Sequence, residues 1–177
     1  FKNPDFADRT CIYDASDYTA LTYSDMDRLT AEAAMKFHYL TSKVGSTFKA
    51  GDTISLLLEN GLHFFAPWIG AMRMGAVVNP INTLYTPEQI LYALDLCKTK
   101  ILVTEYKFLF DEGGEPKELL RLMADYFTEF MQRRMWVSLK TEKVSCCALK
   151  AKKANSIVFL QKGGGKAGVD ESFTIQV

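Results

Sequence analysis

From Gly51 to Glu105 the chain alternates between short apolar runs of strand length and longer segments with helical spacing, and this alternation constrains the fold more than any other feature. Thr53 to Leu58 is apolar with little polar alternation, as expected of a strand covered on both faces. Leu62 to Met74 places Phe65, Trp68, Ile69 and Met72 on one helical face, and Gly75 is positioned to end that helix. Pro67 is an objection to it, because a proline beyond the first turn removes a hydrogen bond. Ala76 to Asn79 reads as a second strand closed by Pro80. Thr86-Pro87-Glu88-Gln89 is a strong helix start, with Thr as the cap, Pro where its missing N–H does no harm and Gln placed to return the capping bond. The helix it opens is predicted to reach Lys98, with Ile90, Leu91, Leu94 and Cys97 facing inward and Lys98 and Lys100 at the negative end of its dipole. Lys100 to Thr104 supplies a third strand. Strand, helix, strand, helix, strand with short links predicts right-handed crossovers and one mainly parallel sheet with flanking helices, a wound α/β fold.

Ahead of this block, Thr10 to Asp14 and Tyr18 to Tyr23 flank the polar turn Ala15-Ser16-Asp17 and predict a β-hairpin. A helix follows, capped by Ser24 with Asp27 at its third position, with Met26, Leu29, Ala33, Phe37 and Leu40 as its buried stripe and Gly45 beyond its end. The composition fits a globular chain: 177 residues, 48% hydrophobic and 24% charged. Twenty-one basic and twenty-one acidic residues cancel, so the charge balance calls for neither a nucleic acid nor a membrane surface as partner. No apolar run approaches the length of a membrane span. Cys11, Cys97, Cys146 and Cys147 lack metal-site spacing and read as reduced thiols of a cytosol-like compartment. The sequence starts at Phe1, so a piece of a longer protein is expected.

Two regions are expected, 1–110 as an N-terminal α/β part and 111–177 as a divergent helix followed by a basic, glycine-containing tail. In the second, Lys117 to Met135 has helical spacing, with Leu119, Met123, Tyr126, Phe127 and Phe130 near one face. From Met131 to Lys166 nine basic residues face a single acid, Glu142, and because like charges accumulate there without apolar periodicity, residues 140–177 are expected to be less protected than residues 53–104. A nucleic-acid surface is not expected there, because no RNA or DNA motif surrounds the lysines.

The stretches LTYSDMDRLTAEAA and KAGDTISLLLENGLHFFAPWIGAMRMGAVVNPINTLYTPEQILYALDLCKTKILVTE together resemble the N-terminal region of the adenylate-forming superfamily, especially acyl-CoA and 4-coumarate-CoA ligases and luciferases. The resemblance covers roughly Phe6 to Lys107 and rests on the order of the pieces: LTY before a helix, GD before a strand, GAMRMGAVVNP from helix to strand, then TPEQI. It implies ATP and magnesium as cofactors, a small carboxylic acid as substrate, an acyl-adenylate intermediate and coenzyme A as acyl acceptor. It also implies a cytoplasmic or peroxisomal protein, although the peroxisomal C-terminal signal is not seen. The acid that grips the ribose, the metal-holding carboxylate and the catalytic lysine lie in such enzymes beyond the part matched, so the 177 residues are expected to be an N-terminal fragment inactive alone, with a non-catalytic interaction domain or a free-standing nucleotide-binding α/β domain as alternatives. Self-association through an uncovered apolar face is expected with them.

Near the end stands FLQKGGGKAG, Phe159 to Gly168, after the β-type run Ser156 to Leu160. A glycine-rich turn after a strand can aim several backbone N–H groups at one anion. Gly163, Gly165 and Gly168 fit G-x-G-x-x-G, but no helix, second strand and distant acid follow, and Ala167 after Lys166 excludes a Walker loop. Laid against the superfamily's phosphate loop, Phe159 matches the aromatic, Gly165 the second glycine, Lys166 the next residue, and Gly168-Val169 the closing pair. Leu160 and Gln161 then stand where Thr and Ser are expected, Gly164 at a hydroxyl position and Ala167 at the proline. Hydroxyls bond phosphate oxygens and a methylene cannot replace them. Gly163, Gly164, Gly165, Lys166 and Gly168 are therefore the candidate cofactor-binding residues, read as a degenerate phosphate loop, with a flexible linker and a working phosphate site as alternatives. No metal ligands are assigned. His38 and His63 are read as surface or capping residues without a carboxylate at useful spacing, and Trp68 with Phe64 and Phe65 as core.

Overall fold

The structure is a computed structural model that describes residues 4–43, 48–123, 135–139 and 159–161. Strands β1 (Thr10–Tyr13) and β2 (Ala20–Thr22) form the expected antiparallel hairpin, with Asp14 and Asp17 side chains bracing the turn between them. Helix α1 (Tyr23–Lys43) begins two residues earlier than Ser24 and Asp27 implied. The cap is Thr22: its hydroxyl accepts the Asp25 N–H at 3.1 Å, and Asp25 Oδ2 accepts the Thr22 N–H at 3.2 Å. Two overlapping cap patterns compete in TYSDMD, and the fold selects the first because Asp27 is drawn to Arg73 on the next helix while the Ser24 N–H donates to the Ala7 carbonyl. Of the expected stripe Met26, Phe37 and Leu40 are buried and Leu29 and Ala33 half buried, and Thr30 is buried with them.

Strands β3 (Thr53–Leu57), β4 (Val77–Pro80) and β5 (Thr99–Glu105) are parallel in the order β4-β3-β5, with α2 (Leu62–Arg73) and α3 (Pro87–Leu96) as crossovers. The register sets Ile54 opposite Val78 and Ile101, and Leu56 opposite Pro80 and Val103. β3 and β5 are buried almost throughout, whereas β4 is half exposed, as an edge strand ending in proline should be. Two polar contacts lie inside the sheet, Ser55 Oγ and Thr99 Oγ1 at 2.7 Å and Asn79 Nδ2 donating to Ser55 Oγ at 3.0 Å, whereas the Thr104 hydroxyl on β5 is buried without a hydrogen-bond partner among the described residues. Since β4 and β5 lie on opposite sides of β3, two right-handed crossovers put α2 and α3 on opposite faces.

The buried side of α2 differs from the expected one. Pro67, Gly70 and Ala71 face inward, Phe65, Trp68 and Ile69 are half buried, and Met72 is exposed. The cause is close packing against α1, since a Cβ on Gly70 would lie 2.6 Å from the Ala33 Cβ and 3.0 Å from the Thr30 carbonyl oxygen. Small residues permit that approach, so the large apolar ones move to the rim, where Phe64 and Trp68 pack against the core. Pro67 is accommodated inside the helix. Gly75, at φ +74°, ends α2 with its N–H on the Met72 carbonyl and the Ala76 N–H on that of Ala71, a Schellman closure.

Helix α3 begins with the expected capping box, Gln89 N–H to Thr86 Oγ1 and Thr86 N–H to Gln89 Oε1. It ends at Leu96, with Lys98 in the left-handed region at φ +50°. Lys100 does not serve the helix dipole, because it lies on β5 and reaches Asp52 Oδ2 at 2.7 Å. After a single turn α4 (Tyr106–Leu109), residues 118–123 are helical and bury Leu119, Leu120 and Met123. The expected helix does not reach Met135, which opens β6 (Met135–Leu139). β7 (Phe159–Gln161) matches the strand-type run before the glycines. Both run parallel to β5, with Ile101 opposite Met135 and Glu105 opposite Gln161.

Candidate functional site at the carboxyl edge of the sheet

In a parallel sheet all strands point their carboxyl ends to one edge, and ligands bind where neighbouring strands send their loops to opposite faces. Here that point lies between β3 and β4, whose loops lead to α2 and α3. A cleft of about 560 Å³ opens there, lined by Leu58, Glu59, Asn60 and Phe64 on the β3 side and by Pro80, Ile81, Asn82 and Thr83 on the β4 side. Its wall polarity comes from one carboxylate, two amides and one hydroxyl over an apolar floor.

Beside the cleft, at the end of β5, Glu105 is buried with 2% of its side chain exposed. Oε1 accepts the Glu59 N–H at 2.7 Å and lies 3.5 Å from His63 Nε2, and Oε2 lies 2.9 Å from Lys107 Nζ. Lys107 also pairs with Glu59. Burial alone would raise the Glu105 pKa; contacts from His63, the Glu59 N–H and Lys107 outweigh it and hold the carboxyl at about 2, against an ordinary 4.5. Burial likewise works against the Lys107 charge, and the two carboxylates more than restore it, so its pKa is raised. A carboxylate held this acidic and a lysine held this basic do not exchange protons near neutrality. What they do is tie the β3–α2 loop to the β5–α4 junction, fixing one wall of the cleft.

His63 therefore has a carboxylate partner after all, 42 residues further along the chain, contrary to the sequence reading. Glu105 was missed as well, because it ends an apolar strand and nothing local marks it. The one available signal was a charged residue closing the run ILVT. His38 is exposed on α1, as expected. Cys11 and Cys97 are free thiols, and Cys146 and Cys147 lie outside the described residues.

Gly163, Gly164, Gly165, Lys166 and Gly168 also lie outside the described residues. The strand leading to them is described, and Gln161, its last residue, stands opposite Glu105 at the carboxyl edge. Among the described residues no group of three or more His, Cys, Asp or Glu could hold a metal ion. Glu59 and Glu105 do not offer a magnesium site, since Lys107 bridges them. No described helix is long and apolar enough to cross a membrane.

The model of a family described as AMP-binding enzyme matches residues 2–161. The chain belongs to the AMP-binding enzyme family. It is 31% identical over 99 residues to 4-coumarate–CoA ligase CCL1 of Humulus lupulus, which is 56% of this chain and 17% of that enzyme. It is 30% identical over 110 residues to 4-coumarate–CoA ligase 5 of Oryza sativa subsp. japonica, 62% of this chain and 19% of that one. Crotonobetaine/carnitine–CoA ligase of Proteus mirabilis matches at 31% over 87 residues, 49% of this chain and 16% of that one. The chain thus spans less than a fifth of the curated relatives it matches. Among solved structures, the anthranilate CoA ligase AuaEII in complex with anthranoyl-AMP superposes with a TM-score of 0.50 at 21% identity, over 60% of this chain and 19% of that one. The fused adenylation and carrier di-domain NpsA-ThdA of Klebsiella oxytoca also gives 0.50, at 19% identity, over 65% of this chain and 20% of that one. At these identities the structures establish the fold: that of the N-terminal domain of adenylate-forming enzymes.

Proposed function

We propose that this chain is the N-terminal α/β part of an ATP-dependent carboxylic acid–CoA ligase. In that reaction a carboxylate oxygen attacks the α-phosphorus of ATP and displaces pyrophosphate, and the thiol sulfur of coenzyme A then attacks the acyl carbon and displaces AMP. The family match over residues 2–161 carries the reading, and ligases that join acids to coenzyme A among the relatives favour it. Magnesium, when bound, supplies charge neutralisation at the phosphates. Gly163, Gly164, Gly165, Lys166 and Gly168 are proposed to contact the phosphates through backbone N–H groups and one ammonium. The register of Gln161 beside Glu105 supports this, because the glycines then follow from the carboxyl edge. The proposed compartment is the cytosol.

We further propose that the 177 residues by themselves do not complete the adenylation. Leu160, Gln161 and Gly164 stand at the hydroxyl positions of the loop, and loss of one donor to a developing charge costs about 100-fold to 1000-fold in rate. The same missing hydroxyls favour a second reading, a non-catalytic interaction domain. Pyrophosphate exchange with ATP, magnesium and a panel of fatty and aromatic acids tests both. No exchange and weak nucleotide binding that Gly165→Val abolishes is the expected result. Acid-dependent exchange by the purified chain refutes the inactivity, and binding unaffected by Gly165→Val refutes the loop assignment.

A further inference from the structure

His63, in the first turn of α2, is approached by two carboxylates from different parts of the chain. Its Nε2 is buried without a hydrogen-bond partner among the described residues and lies 3.5 Å from Glu105 Oε1, beyond the length of a strong hydrogen bond. Its other nitrogen stands over Gly61. A Cβ at Gly61 would lie 2.8 Å from both Nδ1 and Cε1 of His63 and 4.0 Å from Asp14 Oδ2, so the imidazole folds back over the glycine and meets the hairpin turn there. Asp14 Oδ1 is engaged, accepting the Ser16 N–H at 2.9 Å and the Ser16 hydroxyl at 2.6 Å, while Oδ2 is the oxygen nearest Gly61. These two Ser16 contacts are the main reason that the Asp14 carboxyl lies below its ordinary range, and the positive charge of His63 adds to them. The other charged groups around the ring are Glu59 from the β3–α2 loop and Lys107 from α4, which pair with each other, and Lys107 also holds Glu105 Oε2.

A neutral imidazole carries one N–H and one lone pair, so with a carboxylate near each nitrogen one of the two contacts is always repulsive. Protonation gives both nitrogens a donor and makes both contacts attractive. We infer that His63 is a proton-operated latch: as it takes up a proton it fastens the hairpin turn at Asp14 to the carboxyl edge of the sheet at Glu105, and as it loses the proton the turn is released. The proton has access, because 24% of the His63 side chain is exposed. Linkage fixes the sign. The fastened form binds the proton more tightly than the released form, so fastening is present at pH below the His63 midpoint and is lost as pH rises through it. Among side chains imidazole is the one that ordinarily changes charge at about pH 6.5. Asn60 and Phe64 flank His63 in sequence and line the cleft, so the latch also acts on that wall.

The latch does not depend on the enzymatic reading. Proton NMR of the 177-residue chain tests it by following the ring signals of its two histidines from about pH 5 to about pH 9, with His38, exposed on α1, as the internal reference. Asp14→Asn is expected to lower the His63 midpoint by about half a unit and Glu105→Gln by about one unit, an about threefold and an about tenfold weaker hold on the proton, while the His38 midpoint stays in place. Gly61 is extended, at φ 160°, a conformation alanine adopts, so Gly61→Ala displaces the ring without changing any charge. In that background Asp14→Asn is expected to leave the His63 midpoint where it is. The Asp14 N–H, which donates to the Thr19 carbonyl at 2.8 Å across the turn, reports the fastening itself. Relative to its intrinsic rate it is expected to exchange about threefold more slowly at about pH 5.5 than at about pH 8, and this difference is expected to vanish in His63→Gln. A His63 midpoint unmoved by Asp14→Asn overturns the latch and leaves Asp14 as a brace of its own turn. Protection of the turn that does not change with pH, or that changes equally in His63→Gln, overturns it too. Should Glu105→Gln unfold the chain, Asp14→Asn with and without Gly61→Ala decides the matter, since Asp14 is at the surface.

Discussion

The two edges of the parallel sheet both carry a lysine of the β5 region paired with a carboxylate from the ends of β3, and they differ in nearly everything else. At the amino edge Lys100 meets Asp52, whose Oδ2 also accepts the Lys49 N–H at 2.6 Å, and both side chains keep contact with water. At the carboxyl edge Glu105 is out of water and takes contacts from three groups, Glu59, His63 and Lys107. One edge is a turn braced at the surface and the other a buried clamp beside a cleft. The difference teaches that the same pair of residue types stabilises according to burial and to how many donors converge, not according to its distance alone.

The largest effect expected from this contrast is on removing the two acids. Glu105→Ala leaves a buried hole, takes the acceptor from the Glu59 N–H and the carboxylate from His63, and leaves Lys107 with Glu59 alone; it is expected to cost about 4 kcal/mol in urea unfolding, while Asp52→Ala costs about 1 kcal/mol. Equal losses would break the comparison.

The next effect is on pH. The folded Glu105 carboxyl lies at about 2, below its unfolded value of 4.5, so its stabilisation is complete above the unfolded value and is lost as pH falls through the folded one. Roughly 3 kcal/mol is expected to disappear between about pH 5 and pH 2. In Glu105→Gln that part of the acid dependence should vanish, and a profile unchanged by the substitution would show that other carboxylates govern it.

A smaller effect is expected at the amino edge, where Gly75 holds φ +74° and an added Cβ would lie 3.0 Å from that of Ala50. Gly75→Ala should cost about 2 kcal/mol through backbone strain, independently of pH. The smallest belongs to Thr86, whose capping box opens α3 after the β4 loop: Thr86→Ala should lower stability by about 1 kcal/mol. If its effect proves larger than that of Glu105, local capping rather than the buried clamp holds the carboxyl edge.

The elements that could be read from sequence are those whose cause is local. Thr86 with Gln89, and Gly75 as a stop, act on backbone groups within four residues of themselves, and α3 and the end of α2 follow from them. The buried runs of β3 and β5 and the crossover segments between strands likewise follow from period and length. The cap of α1 lies two residues before the expected one because TYSD and SDMD satisfy the same rule, and contacts from outside the stretch, Arg73 to Asp27 and the Ser24 N–H to the Ala7 carbonyl, decide between them. The buried face of α2 was misread for a related reason. Hydrophobic size points to Phe65 and Met72, but contact with α1 demands the small side of the helix at Gly70.

By itself the sequence determined the alternation of strands and helices, the caps that bound α3 and α2, and the likeness to adenylate-forming enzymes, since each resides in short ordered stretches. Only the tertiary structure decided that Glu105 meets His63 and Glu59, that Lys100 reaches Asp52, and that the cleft opens between β3 and β4. These contacts join residues more than forty positions apart, except across the cleft, where β4 returns beside β3. Their strength comes from burial that no single segment possesses until the sheet has assembled.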